Sequence, residues 1–389
     1  MRDFVNEAVK NIKPSGIRKF FDIAKTIEGC VSLGVGEPDF DTPFHIAEEG
    51  IASIELGQTF YTSNAGLLEL REEICNYTKR KYNCNYKVEN TFVTVGGSEA
   101  IDLVCRACLS KDDEVIIPEP SYVSYEPCVI LQGAKAIKYQ LEECDDFKIK
   151  KEKLEKLITP KTKILFMNFP NNPTGGTMDK DDLEAIKDVI IKHDLLVVTD
   201  EIYSELTYEG KHTSIASLEG MSERTILING FSKAFSMTGW RLGYACGPES
   251  IIKQMLKIHQ FTIMCASTAS QYAGLEALKN GDDDVSKMRD EYNMRRRYVI
   301  NALKELDIPC YVPKGAFYVF PNIKQFNMSS EDFALDLLNK EKVVVVPGTA
   351  FGDCGEGFIR ISYAYSLEDL KEAFRRIKNY INKKRLENI

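Results

Sequence analysis

Between Phe44 and about Asp282 the chain alternates short β-branched runs with longer stretches of helical periodicity, and no other feature narrows the possible folds as far. The extended runs are residues 91–95, 114–117, 136–139, 163–167, 195–199, 225–228 and 242–246, and helical segments such as 67–81, 98–109 and 180–193 separate several of them. Strands divided by helices pair in parallel through crossovers, and a parallel sheet is covered on both faces. The expectation is an α/β fold with a mostly parallel sheet. Ligands then bind beyond the carboxyl ends of its strands.

At 389 residues the chain exceeds the usual single domain, so two domains are expected. Residues 283–389 supply the second, smaller one, opening in a charged helix through Arg295, Arg296 and Arg297, with strands at 315–320 and 343–346 and a final helix. The arm, 1–43, joins it with a helix over 17–27 and an extended run at 30–35, leaving 44–282 as the larger domain. A hydrophobic content of 44% with 28% charged residues fits a folded soluble chain. The net charge of −8 argues against non-specific nucleic-acid or anionic-membrane binding. No run reaches the ~18 apolar residues of a membrane span, and residues 1–13 have no signal-peptide core, so a cytoplasmic location is expected. Eleven scattered cysteines read as reduced thiols. Cys105 and Cys108 sit among Ile101, Leu103 and Val104, where packing outweighs zinc or redox chemistry, and four separated histidines make no metal cluster. The basic end, Lys383, Lys384 and Arg385, reads as a solvated helix terminus.

Chemistry should then lie in the loops after the strands. Gly96-Gly97-Ser98-Glu99 opens a helix whose free N–H groups could cradle a phosphate. It is not the glycine pattern of dinucleotide folds. Tyr122, in Glu119-Pro120-Ser121-Tyr122, follows another strand; taken alone, such a tyrosine is more often a packing residue. Asn168-Phe169-Pro170-Asn171-Asn172-Pro173-Thr174-Gly175-Gly176 is dense in turn formers, and a cis bond before Pro173 is open to it. Leu195 to Tyr203 reads as a buried strand delivering Asp200 at its carboxyl end, where the ordinary alternative is a helix N-cap. Arg360, in Phe358-Ile359-Arg360-Ile361, would ordinarily be a solvent-facing strand residue.

The run Gly230-Phe231-Ser232-Lys233-Ala234-Phe235-Ser236-Met237-Thr238-Gly239-Trp240-Arg241-Leu242-Gly243 sets a lysine among small and apolar neighbours, with an arginine eight positions on. Taken alone, such a lysine is more often on an exposed turn; partial desolvation there would favour the neutral amine, which condenses with carbonyls. The run resembles the lysine signature of class I and II aminotransferases at every constrained position. The Asn-Asn-Pro-Thr-Gly run at 171–175 resembles another motif of that family, and the motifs follow in family order from the arm to Arg360.

The resemblance implies the aspartate aminotransferase-like fold of pyridoxal-phosphate-dependent transferases, with a large sheet domain and a smaller α/β domain. It also implies pyridoxal 5'-phosphate as cofactor, carried by Lys233 as a Schiff base, with no metal. Gly97, Ser98, Ser232 and Arg241 are then expected around its phosphate, and Tyr122 stacked on its ring. Asn172 and Tyr203 would bond its ring oxygen, and Asp200 would keep its ring nitrogen protonated. Gly36, in the Gly-Pro-rich loop of residues 34–43, and Arg360 would take the substrate carboxylate, shared with Asn172. Tyr61 would reach the partner's phosphate in a homodimer; from the residue alone, packing is about as good a reading. Lys233, Asp200 and Tyr203 form the expected catalytic set. The implied reaction is a ping-pong transfer of an amino group from an L-amino acid, aspartate or aromatic favoured, to a 2-oxo acid such as 2-oxoglutarate. A lyase or decarboxylase on the same scaffold is the alternative; a ligand-sensing regulator is disfavoured because no DNA-binding segment precedes the arm. Gly230 stands where many members place a phosphate-binding serine, and Tyr122 where aspartate-specific ones have tryptophan. No second arginine can be assigned to a side-chain carboxylate beyond a guess at Arg18.

Overall fold

The computed structural model describes residues 2–10, 12, 14, 16 and 27–387. Arg18 and the helix expected over 17–27 therefore lie outside the described residues, apart from Ile27.

After a two-residue strand β1 (Val31–Ser32), seven strands build one sheet: β2 (Thr91–Thr94), β3 (Glu114–Glu119), β4 (Lys135–Gln140), β5 (Thr162–Asn168), β6 (Leu196–Asp200), β7 (Thr225–Gly230) and β8 (Gly243–Cys246). All seven expected runs became strands of this sheet. Their order is β2-β8-β7-β6-β5-β3-β4, with β8 antiparallel to both neighbours and every other pairing parallel.

The central strands are apolar on both sides because both sides are covered. Ile116, Leu165 and Val197 pack on one face with Leu183, Ile186 and Ile190 of the helix Lys180–Lys192. Their chain neighbours Ile117, Phe166 and Val198 pack on the other, with Ile101 and Val104 of the helix Gly96–Cys108. The period-two alternation of a strand thus feeds two cores at once. Each such side chain contributes about 1.5–3 kcal/mol by leaving water. Cys105 belongs to the second core, and the eleven cysteines are all free thiols.

The C-terminal part departs from expectation in detail. It carries β9 (Tyr318–Val319), β10 (Val343–Val344), β11 (Val346–Pro347) and β12 (Ile359–Ser362). The strand expected over 315–320 is cut to two residues; Ala316 takes φ +57°, which ends an extended run on its N-terminal side. The run 343–346 splits between two sheets: β10 pairs in parallel with β1, and β11 lies antiparallel to β12, which is also antiparallel to β9. Leu33 of the arm shares a core with the helices Asp282–Glu305, Ser330–Glu341 and Leu367–Glu387. The basic end is not merely solvated, since Lys383 pairs with Glu341 and Lys384 with Asp336 on the neighbouring helix. No helix among the described residues is long and apolar enough to cross a membrane.

Candidate active site

At the carboxyl ends of β5 and β6 Asn168 stands opposite Asp200, and Asp200 opposite Ile228 two residues before β7 ends at Gly230. Their following loops therefore converge, and a cavity of about 300 Å³ opens above them. Gly36, Gly97, Ser98, Tyr122, Asn172, Asp200, Tyr203, Ser232, Lys233, Arg241 and Arg360 all line it. Of the described residues proposed from sequence, only Tyr61, 77% exposed on the surface, is not among its lining.

Lys233 keeps part of its surface open to the cavity, and its Nζ donates to the Gly36 carbonyl at 2.6 Å. Protein packed around the ammonium disfavours the charge. Burial is the main cause, with Arg360 and Arg241 adding to it and Glu37 and Asp200 opposing, and the pKa falls to about 8. Roughly a tenth of such a lysine is neutral amine at pH 7.

Asp200 is buried at the end of β6 and caps no helix: its Oδ1 accepts from the N–H of Ile202 at 3.2 Å, and its Oδ2 from the Tyr125 hydroxyl at 2.7 Å. Burial outweighs those two bonds, and its pKa rises to about 6. Asn168 ties this strand end to the next loop, donating to the Asp200 carbonyl at 3.0 Å and accepting from the Asn172 N–H at 3.0 Å. The bond between Asn172 and Pro173 is cis.

Arg360, on the central strand β12, is 3% exposed. Its Nη1 donates to Asn172 Oδ1 at 2.9 Å and its Nη2 to the Gly34 carbonyl at 2.5 Å. The guanidinium lies between two rings, 4.4 Å from the centroid of Tyr318 and 4.7 Å from that of Phe351. Its Nε is buried without a hydrogen-bond partner among the described residues.

On the opposite wall the helix Gly96–Cys108 begins at the cavity. Gly96 has φ +74°, and a Cβ there would come within 2.8 Å of Arg241 Nη2, so only glycine lets the guanidinium lie across this turn. Arg241 itself holds φ +52° and donates from Nη1 to the Thr238 carbonyl at 3.1 Å. The Ser98 hydroxyl stands 3.4 Å from that of Tyr122. Lys233, Arg241 and Arg360 together give the cavity a positive bias against the single Asp200 on its wall. With a helix N-terminus added, that is a setting for a phosphate at one end and a carboxylate at the other.

These residues fit pyridoxal phosphate by their donor set: a desolvated amine, an unpartnered buried guanidinium nitrogen, a helix start under an arginine, and a buried acid. Sequence reading missed Tyr125, Asn168 and Tyr318. Tyr125 follows Tyr122 by three, a helical spacing that hints at a shared direction. Asn168 is the last residue of a strand whose end was already of interest. Tyr318 gave no signal beyond its place in an aromatic strand.

Fold and site define a class, and comparison with known proteins agrees. The family model "Aminotransferase class I and II" matches residues 28–377, and the chain belongs to that family; it is an aminotransferase. The Bacillus subtilis protein YugH, itself named only provisionally as an aminotransferase, is 50% identical over 384 residues, covering 98% of this chain and all of the relative. The aspartate aminotransferase of Pyrococcus abyssi is 45% identical, covering 96% of this chain and 97% of its own. Among solved structures, the aromatic aminotransferase of Pyrococcus horikoshii OT3 superposes with a TM-score of 0.90 at 43% identity, over 94% of this chain and 100% of that one.

Proposed function

We propose that this aminotransferase moves the amino group of aspartate or an aromatic L-amino acid to a 2-oxo acid, 2-oxoglutarate in the first instance. The two substrates alternate at the one cavity in a ping-pong order. Its cofactor is pyridoxal 5'-phosphate on Lys233. The observation that carries this is the convergence of a desolvated Lys233, a buried Asp200 and a sandwiched Arg360 on one cavity. The substrate choice rests on the names of the Pyrococcus relatives.

Lys233, Asn172, Tyr203, Asp200 and Tyr122 would hold the ring, and Gly97, Ser98, Ser232 and Arg241 the phosphate. Bound there, the cofactor supplies a carbonyl that condenses with amines and a ring that accepts the electron pair left when Cα loses its proton. Arg360 offers a planar fork to the substrate carboxylate, and Asn172 Oδ1 fixes the fork's orientation. Lys233 Nζ, with its lowered pKa, takes the proton from the substrate Cα near neutral pH. Asp200, fixed by Tyr125 and the Ile202 N–H, holds a proton at the ring nitrogen; a cation placed beside it would bring its own pKa back down.

The same reading gives a homodimer in the cytoplasm, divided into 44–282 and a smaller domain of 283–389 with the arm 1–43. Support for the dimer is a set of apolar side chains, Leu56, Phe60, Tyr61 and Phe261 among them, each more than three-quarters exposed. The 60–64 segment is bonded to 264–268, Thr268 to the Phe60 carbonyl and Asn64 to that of Met264. Initial rates with aspartate or an aromatic donor against varied 2-oxoglutarate test the reaction. Parallel double-reciprocal lines with stoichiometric 2-oxo acid are expected; intersecting lines contradict the order of events, and release of ammonia points to a lyase.

A further inference from the structure

Tyr318 lines the cavity and has no part in the chemistry above, yet it touches three groups that do. Its hydroxyl is 2.7 Å from that of Tyr203. Its ring faces the Arg360 guanidinium at 4.4 Å. The third contact is steric: a Cβ on Gly36 would fall 2.2 Å from the Tyr318 hydroxyl oxygen. Gly36 is not in the left-handed region, so its backbone admits any residue and only the phenol excludes a side chain. Sheet register explains the placement. Tyr318 on β9 stands opposite Ser362 on β12, and Arg360 lies two residues from Ser362 on the same face, which makes tyrosine and arginine diagonal neighbours. The ring is 1% exposed and braced by Phe317 at 4.9 Å, so it has little freedom to turn away.

We propose that Tyr318 is a positioning residue that locks Tyr203, Arg360 and Gly36 into one register, its hydroxyl steadying the Tyr203 phenol and its ring the carboxylate-binding fork. Tyr203 has few other partners. The charged or titratable groups facing it are Tyr318, Arg360 and Asp200, and those facing Tyr318 are Arg360, Tyr203, Tyr122 and Tyr365. A proton donated by Tyr318 to the Tyr203 oxygen leaves the Tyr203 hydrogen free to point into the cavity and makes it a stronger donor there. That assignment rests on the reading of Lys233 and Tyr203 as cofactor ligands.

The test compares wild type, Tyr318→Phe, Gly36→Ala and the double variant, each with added pyridoxal phosphate and each ligand-free. Tyr318→Phe keeps the ring over Arg360 and loses only the hydroxyl. With a weaker Tyr203 donor the cofactor's ring oxygen keeps more negative charge, and the proton shared with Lys233 is held more tightly. The pH midpoint of the visible band is then expected to move up by about half a unit, with kcat down by about three- to tenfold and KM for the amino acid nearly unchanged. In the ligand-free protein, Gly36→Ala is expected to lower the unfolding temperature in the wild-type background. It should do so less in the double variant, where Tyr318→Phe has already removed the hydroxyl that the new methyl group would meet. An unmoved midpoint in Tyr318→Phe, or an equal penalty for Gly36→Ala in both backgrounds, overturns the proposal. A wild type with no visible band overturns instead the cofactor reading beneath it.

Discussion

A buried carboxylate with no cation bonded to it is costly, and Asp200 pays for its position in stability. Its pKa is raised from 3.8 to about 6, so the folded chain holds this proton more tightly than the unfolded chain does. Stability therefore falls as pH rises between about 4 and 6, and the full cost is present above that window. Asp200→Asn should remove the slope and stabilise the ligand-free protein at pH 7 by on the order of 1–3 kcal/mol, seen as a higher unfolding temperature. The same variant should lose at least about 100-fold in amino transfer. A variant less stable than wild type at pH 7 contradicts the burial argument. Lys233 works in the opposite sense: with its pKa lowered to about 8, its cost is present below pH 8 and is relieved as pH rises toward 10.5. At this scale the sequence was informative about residue type and silent about partners. Arg360 and Asp200 could be placed at the site through motif position, but nothing local announces that Phe351 and Tyr318 flank the one or that Tyr125 bonds the other.

Among the elements, the loop of residues 34–43 does the most to join distant parts of the chain. Gly34 and Gly36 offer carbonyls to Arg360 and Lys233, Thr238 bonds Glu37, and Trp240 Nε1 donates to Thr42 Oγ1 at 3.0 Å. Asp39 takes both of its oxygens to Arg295 Nη1, at 2.7 and 2.8 Å, and Arg295 is almost fully buried on the helix Asp282–Glu305. Among the described residues, Asp39→Ala leaves that guanidinium with Glu291 as its one paired carboxylate, beside the rings of Phe40 and Tyr292, and should cost about 3 kcal/mol. Because Gly36 is carried on the same loop, KM for the amino acid should rise as well. Unchanged unfolding and KM would show that the loop is held without this pair. Apart from Gly36, the loop reads as glycine-proline punctuation in sequence, since its anchors are 194 to 330 residues away. The central strands of the large sheet were legible for the converse reason: both faces are buried, so they read as apolar runs, whereas the edge strand β4 is mostly exposed or half-buried. The short strands β9 to β11 were legible only as runs, 315–320 and 343–346, and not in their bounds or pairing, because two-residue pairings leave no periodicity to read.

For the whole molecule, the exposed face around Tyr61 is the main feature a single chain does not explain. Charge introduced there, as Leu56→Asp with Phe261→Asp, should convert a dimer to monomers in sedimentation. Cofactor affinity should fall at the same time, because Tyr61 would no longer reach a neighbouring site. A wild-type monomer, or a dimer that survives both charges, contradicts the assembly.

The most direct measurement is the absorption spectrum of the purified protein, with pyridoxal phosphate added and then with single amino acids in the absence of any acceptor. A visible band that depends on Lys233 is expected, and aspartate or an aromatic amino acid should bleach it into a shorter-wavelength band. No visible band in the wild type, together with unchanged cofactor binding in Lys233→Ala, would contradict the assignment of this cavity as the site of amino transfer.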